Sequence, residues 1–249
     1  VQALFFLDGG LLALGCNIFN MGFWGCFVAY PLVYRPIAGA NPTRGRILAG
    51  AVLAAIVALQ LGPFGVVLQT LLSGITELPF GTFVALMQPI HLAIGLVEGL
   101  VTAAVVIFVW QARPELFAAA GEAKALELKP VIIGLAVAAV LVAGVLSWFA
   151  SGNPDGLEWS MFKTSGHEEL EAPAVGAHAN LAEVQEKSAF LPDYGFKQSE
   201  SAPVEEESAS WPAVNAGTTV AGLVGGAIVL LVAGLIGFSL KRFNRGNPA

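Results

Sequence analysis

The sequence predicts an all-α, polytopic membrane protein: a helical bundle of five full transmembrane helices, the end of a preceding helix, and an acidic extracytoplasmic loop. Hydrophobic residues make up 56% of the 249-residue chain and charged residues only 12%, and the mean hydropathy is +0.73. Several runs without Asp, Glu, Lys or Arg are long enough to cross the bilayer, because a spanning helix needs about 20 residues. These runs cover 9–34, 47–76, 78–97, 131–154 and 213–240. A helix also satisfies its own backbone hydrogen bonds in lipid.

Basic residues flanking these runs predict the orientation of the spans. If the basic clusters are cytoplasmic, as is usual for short loops, the spans run in order over 16–34, 46–76, 80–112, 130–150 and 215–240. The protein is then a multi-pass protein of the inner (plasma) membrane, with a cytoplasmic C-terminus. The clusters are Arg35, Arg44 and Arg46; Arg113, Lys124 and Lys129; and Lys241, Arg242 and Arg245.

Two segments, 1–7 and 46–76, differ from a simple spanning helix. Residues 1–7 are interpreted as the last two turns of a helix whose beginning precedes the sequence. The span over 46–76 is long, and Gly62-Pro63 in its middle is expected to kink or break it, because proline removes a backbone donor and clashes with the preceding turn. The stretch after the proline is then tilted or partly re-entrant.

The acidic loop lies within the second of two predicted modules. Twelve of the 18 acidic residues lie between positions 153 and 215, and the Pro, Ser, Ala and Glu content of 168–212 is typical of a solvated linker. We predict a transmembrane bundle over 1–120, and over 121–249 a two-helix hairpin holding a loop at about 151–215. Cys16 and Cys26 lack CxxC spacing, so we interpret them as small buried hydrophobes rather than a disulfide or a thiolate metal site.

The opening segment, LFFLDGGLLALGCNIFNMGFWGCFVAYPLVY, carries a first resemblance. Gly9, Gly10 and Gly15 allow positive φ or close approach of backbones, and Asn17 can cap the next helix or offer its carboxamide inward. By itself the pattern favours a plain turn between helices. Over some thirty residues, however, its D-G-G, L-G-x-N and N-M-G segments resemble the CbiM/NikM family, the substrate-capture subunits of energy-coupling-factor cobalt and nickel transporters.

A second segment, MQPIHLAIGLVEGLVTAAVVIFVWQARPELF, resembles the H-x-x-I-G-x-x-E helix of the same family. His91 and Glu98 are seven residues apart and fall within about 20° of each other on one helix face, and Thr102 continues the stripe. Gly95 and Gly99 allow a neighbouring helix to come close. Ionisable groups inside a membrane normally face partners, so the stripe is either a hydrogen-bonded network or part of a metal site or cation pathway.

A third segment, SGNPDGLEWSMFKTSG, resembles the PDGLE-type accessory subunits, the CbiN/NikN partners of the same transporters. It follows one predicted span and precedes another, as in that family. Asp155 and Glu158 either cap the loop or attract cations, and capping is the favoured interpretation.

The resemblance implies a function as well as a fold. It implies a membrane-embedded component that captures Co²⁺ or Ni²⁺ as the transported substrate, for cobalamin biosynthesis or nickel enzymes, with no permanently bound cofactor. Its implied partners are a transmembrane coupling subunit, a pair of cytoplasmic ATPases and the lipid bilayer. No nucleic-acid partner is implied. The chain has no GxxxxGK[ST] motif, so ATP hydrolysis is expected in the partners and the chain is not expected to be an enzyme.

The resemblance also implies where the metal binds. The family's principal site uses an amino terminus and a histidine that would precede position 1, so the residues available here are candidates around a metal rather than its main ligands: Asp8, Asn17, His91 and Glu98. Ni²⁺ and Co²⁺ bind similarly to one set of nitrogen ligands, and the sequence does not choose between them. The alternatives are an assembly or regulatory subunit without a ligand and an intramembrane metalloenzyme, although no HExxH motif is present.

Overall fold

The computed structural model describes residues 1–74, 78–114, 117, 128–150, 153–168, 175–197 and 211–246, and in these ranges every regular element is helical. A π-helical turn, Gln2–Phe6, precedes the first long helix. That helix begins as α1, becomes π-helical and ends as α2, and two further long helices follow. Their bounds are Gly10–Asn17 for α1, Ile18–Tyr34 for the π-helix, Arg35–Ala38 for α2, Arg44–Ser73 for α3 and Phe80–Ala112 for α4.

The second half of the chain alternates long and short helices. The short helices α6 and α7 and two 3₁₀ segments lie between the apolar helices α5 and α8. The stretch that composition assigned to a solvated linker therefore contains α7. The bounds are Leu128–Gly144 for α5, Leu146–Phe149 for the first 3₁₀ segment, Gly156–Ser165 for α6, Ala177–Ser188 for α7, Pro192–Tyr194 for the second 3₁₀ segment and Ala216–Gly246 for α8.

Within the described residues, four helices are long and apolar enough to cross a membrane: Gly10–Ala38, Arg44–Ser73, Phe80–Ala112 and Ala216–Phe243. They confirm the prediction of a multi-pass, all-α membrane protein. The span predicted over 130–150 is shorter than expected, because α5 ends at Gly144 and a 3₁₀ segment follows. Its 17 residues reach about 26 Å, slightly less than the ~30 Å hydrocarbon thickness.

The structure contradicts parts of two local expectations. The helix does not break at Gly62-Pro63, because α3 is continuous from Arg44 to Ser73; a kink at this point stays a prediction. Gly62 instead serves close packing, since a Cβ atom there would lie 2.5 Å from the Asn20 backbone oxygen. Gly9 and Gly10 do have positive φ, at 67° and 65°, but the L-G-x-N turn expected after them is helical.

The chain divides into two compact units that do not follow the chain order. The first, here called the hairpin unit, comprises Val1–Leu14, Ile132–Gly152 and Pro173–Ala249. The second, here called the bundle unit, comprises Gly15–Val131 and Asn153–Ala172. The short helix α6, which carries the PDGLE segment, therefore belongs to the same unit as α3 and α4.

Missing side chains let the helices of the bundle unit approach one another. A Cβ atom at Gly99 of α4 would lie 2.6 Å from Val52 Cα of α3, and one at Gly95 would lie 3.1 Å from Ile56 Cα. This confirms that both glycines face a neighbouring helix. In lipid, such van der Waals contact is a main source of association between helices, because the tails are as apolar as the side chains.

The core of the bundle unit includes residues from α6. Its buried members come from α3, the following loop and α4. Two side chains of α6 pack against them, which fixes the PDGLE segment on this unit. The buried residues are Val67, Leu78, Phe83 and Met87, and the α6 side chains are Leu157 and Met161.

The hairpin unit has its own apolar cluster, built from Phe6, Leu191 and Ala221. Gln185 connects α7 to the N-terminal turn, because its Nε2 donates to the Ala3 carbonyl oxygen at 2.9 Å. The helices α5 and α8 meet where Gly222 leaves room for Ala143.

Candidate functional site

His91 lies half-buried on α4 and faces the start of α6. Its Nδ1 is 2.8 Å from the Met87 carbonyl oxygen. Because a carbonyl oxygen only accepts, Nδ1 is the donor in this contact, and Nε2 is the nitrogen that has a lone pair whenever the ring is neutral. A Cβ atom at Gly156 would lie 3.1 Å from His91 Cε1 and 3.4 Å from Nε2. Glycine at position 156 therefore allows the ring to lie close against α6.

Glu98 does not join His91 in one site. Its side chain is exposed, and in the described residues its carboxylate has no hydrogen-bond or ion-pair partner. Thr102 is also exposed and lines an apolar cavity of about 570 Å³ between the π-helix, α3 and α4. The two ends of the stripe therefore have different surroundings: His91 contacts α6, whereas Glu98 is exposed.

Asp8 and Asn17 occupy different surroundings. Asp8 is exposed in the hairpin unit and accepts hydrogen bonds from Gln2 Nε2, at 3.1 Å, and from the Tyr194 hydroxyl. Burial of the phenol and this bond to Asp8 raise the pKa of Tyr194 to about 12. Asn17 is half-buried within the first long helix and makes no capping bond, because the helix passes through it without a new start. Among the described residues, no three His, Cys, Asp or Glu side chains are grouped as a metal site.

The structure reveals a buried polar cluster that our sequence analysis missed. Asn20 is only 5% exposed, and its Nδ2 donates to Gln69 Oε1 at 2.9 Å and to Cys16 Sγ at 3.1 Å. The Cys16 thiol donates to the same Gln69 oxygen at 2.8 Å. Cys16 is therefore hydrogen-bonded and not merely a small hydrophobe. The i, i+4 spacing of Cys16 and Asn20 on one helix face was the available sequence signal.

Two atoms beside this cluster lack partners. Within the described part of the chain, Asn20 Oδ1 and Trp24 Nε1 are buried without a hydrogen bond. A Cβ atom at Gly65 would lie 2.3 Å from Asn20 Oδ1 and 3.4 Å from Trp24 Nε1, so Gly65 makes the space that both atoms face. An unsatisfied buried polar group costs about 1–3 kcal/mol.

The start of α6 has a complete capping box. Asp155 Oδ1 accepts from the backbone N–H groups of Leu157, at 2.7 Å, and Glu158, at 2.9 Å, and Glu158 Oε2 accepts from the Asp155 N–H at 3.0 Å. The two carboxylates thus hold the helix start, as the capping interpretation predicts. Lys163 stands in the last turn of α6, where a cation complements the helix dipole.

We predict that Asp155→Ala speeds amide hydrogen exchange in α6 about fivefold, because loss of such a cap costs about 1 kcal/mol. Asp155→Asn keeps the capping oxygen and is the matched control, with exchange expected to stay near the wild-type rate. Hydrogen-exchange mass spectrometry of the detergent-solubilised protein measures both. Equal acceleration in the two variants would show that the charge matters here and not the cap.

Comparisons with known proteins agree with this organisation. Residues 1–116 match a family described as the cobalt uptake substrate-specific transmembrane region, CbiM, and residues 129–242 match the PDGLE domain. Both halves of the chain are thus recognised, in the order that the motifs predict.

Individual relatives match the same regions. A protein of Archaeoglobus fulgidus, named "Putative fused nickel transport protein NikMN", is 33% identical over 98% of this chain and 69% of its own length. The fused nickel transport protein NikMN of Rhodobacter capsulatus is 32% identical over 82% of this chain and 65% of its own length. The cobalt transport protein CbiM of Geobacter sulfurreducens is 34% identical over 49% of this chain and 35% of its own length.

The chain therefore spans about two thirds of the fused relatives. No solved structure matches it significantly. Because its similarity to a fused relative runs through both regions and nearly from end to end, the chain belongs to the family of fused NikMN proteins, in which a CbiM region and a PDGLE domain share one polypeptide.

Proposed function

We propose that the protein is the membrane-embedded, substrate-binding component of a cobalt or nickel uptake transporter. Separate ATPase subunits and a transmembrane coupling subunit supply the energy, since the chain has no phosphate-binding loop of its own. The protein works in the plasma membrane with its C-terminus in the cytoplasm and catalyses no reaction by itself. Co²⁺ or Ni²⁺ is its cargo.

The observation that carries this proposal is the union of two regions of one transport family in a single chain. The packing of α6 supports it, because Leu157 and Met161 of the PDGLE segment extend the core formed by α3 and α4. We propose that the modules 1–120 and 121–249 act as one transport unit. In this proposal the module 121–249 stabilises the bundle through α6. Because both modules share one chain, they need no separate binding step.

His91 is the best-supported candidate for contact with the cation inside the bundle unit. Its Nδ1–H is held by the Met87 carbonyl, which orients the ring and leaves Nε2 as a nitrogen donor of the kind that Ni²⁺ and Co²⁺ favour. We propose that Asp8, Asn17 and Glu98 are polar groups along the route of the cation rather than a fixed ligand set.

The proposal is tested by uptake of radiolabelled Ni²⁺ and Co²⁺ in cells that express the full-length protein with its partner subunits. Deletion of 151–249 is expected to abolish most uptake. If the shortened protein transports normally, the second module is dispensable and the single-unit proposal fails. If the full-length protein neither transports nor binds either ion when purified, it is an assembly or regulatory subunit.

His91→Asn is expected to reduce uptake about tenfold, a loss typical of changes beside a bound metal. Asparagine retains a donor near the position of Nδ1 but has no equivalent of Nε2. His178→Asn is the matched control, because His178 is exposed on α7 in the hairpin unit. Unchanged uptake by the His91 variant would assign that residue to helix packing alone.

A further inference from the structure

We propose that the bundle unit binds one anionic phospholipid, with an acyl chain in the cavity between the π-helix, α3 and α4 and the phosphodiester group on arginines at one end of that cavity. The cavity has apolar walls and a volume of about 570 Å³, within the range of about 300–1,000 Å³ that is usual for ligand pockets. It is open on one side, where two of its lining residues, Tyr30 and Val105, are 55% and 50% exposed. A lipid chain can therefore enter it from the bilayer.

The length of the cavity matches the depth of one leaflet. Its walls extend from Ala51 to Ala58 on α3 and from Thr102 to Val109 on α4. Each of these stretches is about 10 Å long at 1.5 Å per residue, and one leaflet supplies half of the ~30 Å hydrocarbon thickness. An acyl chain of one leaflet fits this length, whereas a helix of a partner subunit that crossed the whole membrane would extend well beyond it.

Two tyrosines place one end of the cavity at the level of the lipid headgroups. Tyr30 and Tyr34 both line the cavity, and their rings stack with centroids 5.8 Å apart. Tyr34 lies against the start of α3, because a Cβ atom at Gly50 would be 3.2 Å from its Cδ2. Tyrosine is enriched where hydrocarbon meets water, since its ring is apolar and its hydroxyl is polar. Arg35 follows Tyr34 directly, so positive charge begins where the apolar wall ends.

Arg44 stands on the face of α3 that lines the cavity. Seven residues make nearly two helical turns, so Arg44, Ala51 and Ala58 lie within about 40° of one another. Gln111 near the end of α4, with its amide turned so that the oxygen faces the guanidinium, accepts from Arg44 Nε at 3.0 Å and from Nη2 at 3.1 Å. The guanidinium group is thus held between the ends of α3 and α4, and Nη1 is left to donate to a ligand.

Two more arginines complete the positive end. Arg46 Nε donates to the Ile37 carbonyl oxygen at 2.6 Å, which brings it against α2, the short helix that begins at Arg35. All three arginines are exposed, and in the part of the chain that the structure describes none of them pairs with a carboxylate. The sequence itself has no Asp or Glu over 9–76 or 99–114.

This combination of charge and shape selects the ligand. Guanidinium groups bind phosphate through paired N–H···O bonds, and basic pockets between spanning helices are suited to anionic headgroups. A free phosphate would leave the apolar cavity unfilled, and a neutral lipid would leave three positive charges without a counter-ion. Arginines that only orient the spans would need no cavity beside them. An anionic phospholipid satisfies both parts of the site.

The headgroup is tested with the purified full-length protein in a mild detergent. Native mass spectrometry measures its affinity for dioleoyl phosphatidylglycerol and for dioleoyl phosphatidylcholine, which differ only in the headgroup. We expect the anionic lipid to bind at least about tenfold more tightly, and Arg44→Gln to weaken its binding about fivefold without affecting the neutral lipid, because a basic residue beside anionic lipid contributes about that factor. Arg44→Lys, which keeps the charge, is expected to retain most of the affinity.

The matched control for the headgroup is Arg242→Gln, which removes an exposed basic residue at the end of α8 in the hairpin unit. We expect it to leave both affinities unchanged. Equal binding of the two lipids by the wild type would overturn the proposal, and so would an equal loss in Arg242→Gln and Arg44→Gln.

A second pair of variants tests the acyl chain. Val105→Trp fills the cavity from its open side, whereas Val101→Trp adds the same ring one turn earlier, at a position that is 60% exposed and does not line the cavity. Val105→Trp is expected to weaken binding of both lipids about tenfold or more, because each buried CH₂ group contributes about fourfold, and Val101→Trp to have no effect. Glycerol phosphate, which has the anion without the chain, is expected not to displace the lipid.

Two outcomes would reject the acyl-chain site. Full lipid affinity in Val105→Trp would leave the cavity to another occupant, such as a helix of a partner subunit. Displacement of the lipid by glycerol phosphate would make the arginines a site for free phosphate esters. None of these measurements requires metal transport, so their result is independent of the uptake experiment.

Discussion

Gly99→Ala is expected to destabilise the bundle unit by about 1–2 kcal/mol, although alanine is the better helix former. The new methyl group would lie 2.6 Å from Val52 Cα, and because that atom belongs to the backbone of α3 it cannot rotate away. Overpacking typically costs about 1–3 kcal/mol, whereas replacing a helical glycine by alanine gains up to ~1 kcal/mol. The clash therefore decides the sign. Unfolding in a titration of sodium dodecyl sulfate, followed by circular dichroism, measures the change.

The matched control is Gly81→Ala, near the start of the same helix. A Cβ atom there meets nothing within 4 Å, so only the helix preference acts and stability is expected to stay equal or rise. Gly95→Ala should fall between the two, because its Cβ atom would be 3.1 Å from Ile56 Cα. If Gly99→Ala were as stable as the control, the close approach of α3 and α4 would not contribute to holding the unit together.

The features that the sequence predicts correctly depend on local periodicity. The helical repeat alone places Gly95 and Gly99 on adjacent faces of α4, and the cost of charge in lipid alone defines the long spans. The capping box of α6 is equally local, because Asp155 and Glu158 are three residues apart. Such features depend on a few neighbouring residues, and the structure confirms them.

The failures come from contacts between residues that are distant in sequence. Nothing near Pro63 shows that α3 continues or that Gly62 lies against the backbone of Asn20. The partners of Cys16 and Asn20 include Gln69, which lies about fifty positions further on. The same holds for His91, whose spacing places it on one helix face with Glu98 but does not show that His91 meets Gly156.

The contact of His91 with Gly156 leads to the prediction with the largest expected effect on transport. Gly156→Leu is expected to reduce Ni²⁺ and Co²⁺ uptake at least tenfold, to the level of the protein lacking 151–249. A Cβ atom at this position would already lie 3.1 Å from both His91 Cε1 and Ile94 Cδ1, and leucine adds three further carbon atoms. We therefore expect the start of α6 to move away from α4.

Two further measurements separate undocking of α6 from general misfolding. Phe162→Leu places the same side chain on an exposed position of the same helix, and uptake is expected to stay near the wild-type level. In Gly156→Leu, hydrogen exchange should quicken in α6 while the amides around Gly99, in the α3–α4 contact, keep their protection, because that contact does not involve α6. Full uptake by Gly156→Leu with α6 detached would mean that transport does not require docking of the PDGLE segment on α4. The second module would then act on transport through other residues or not at all.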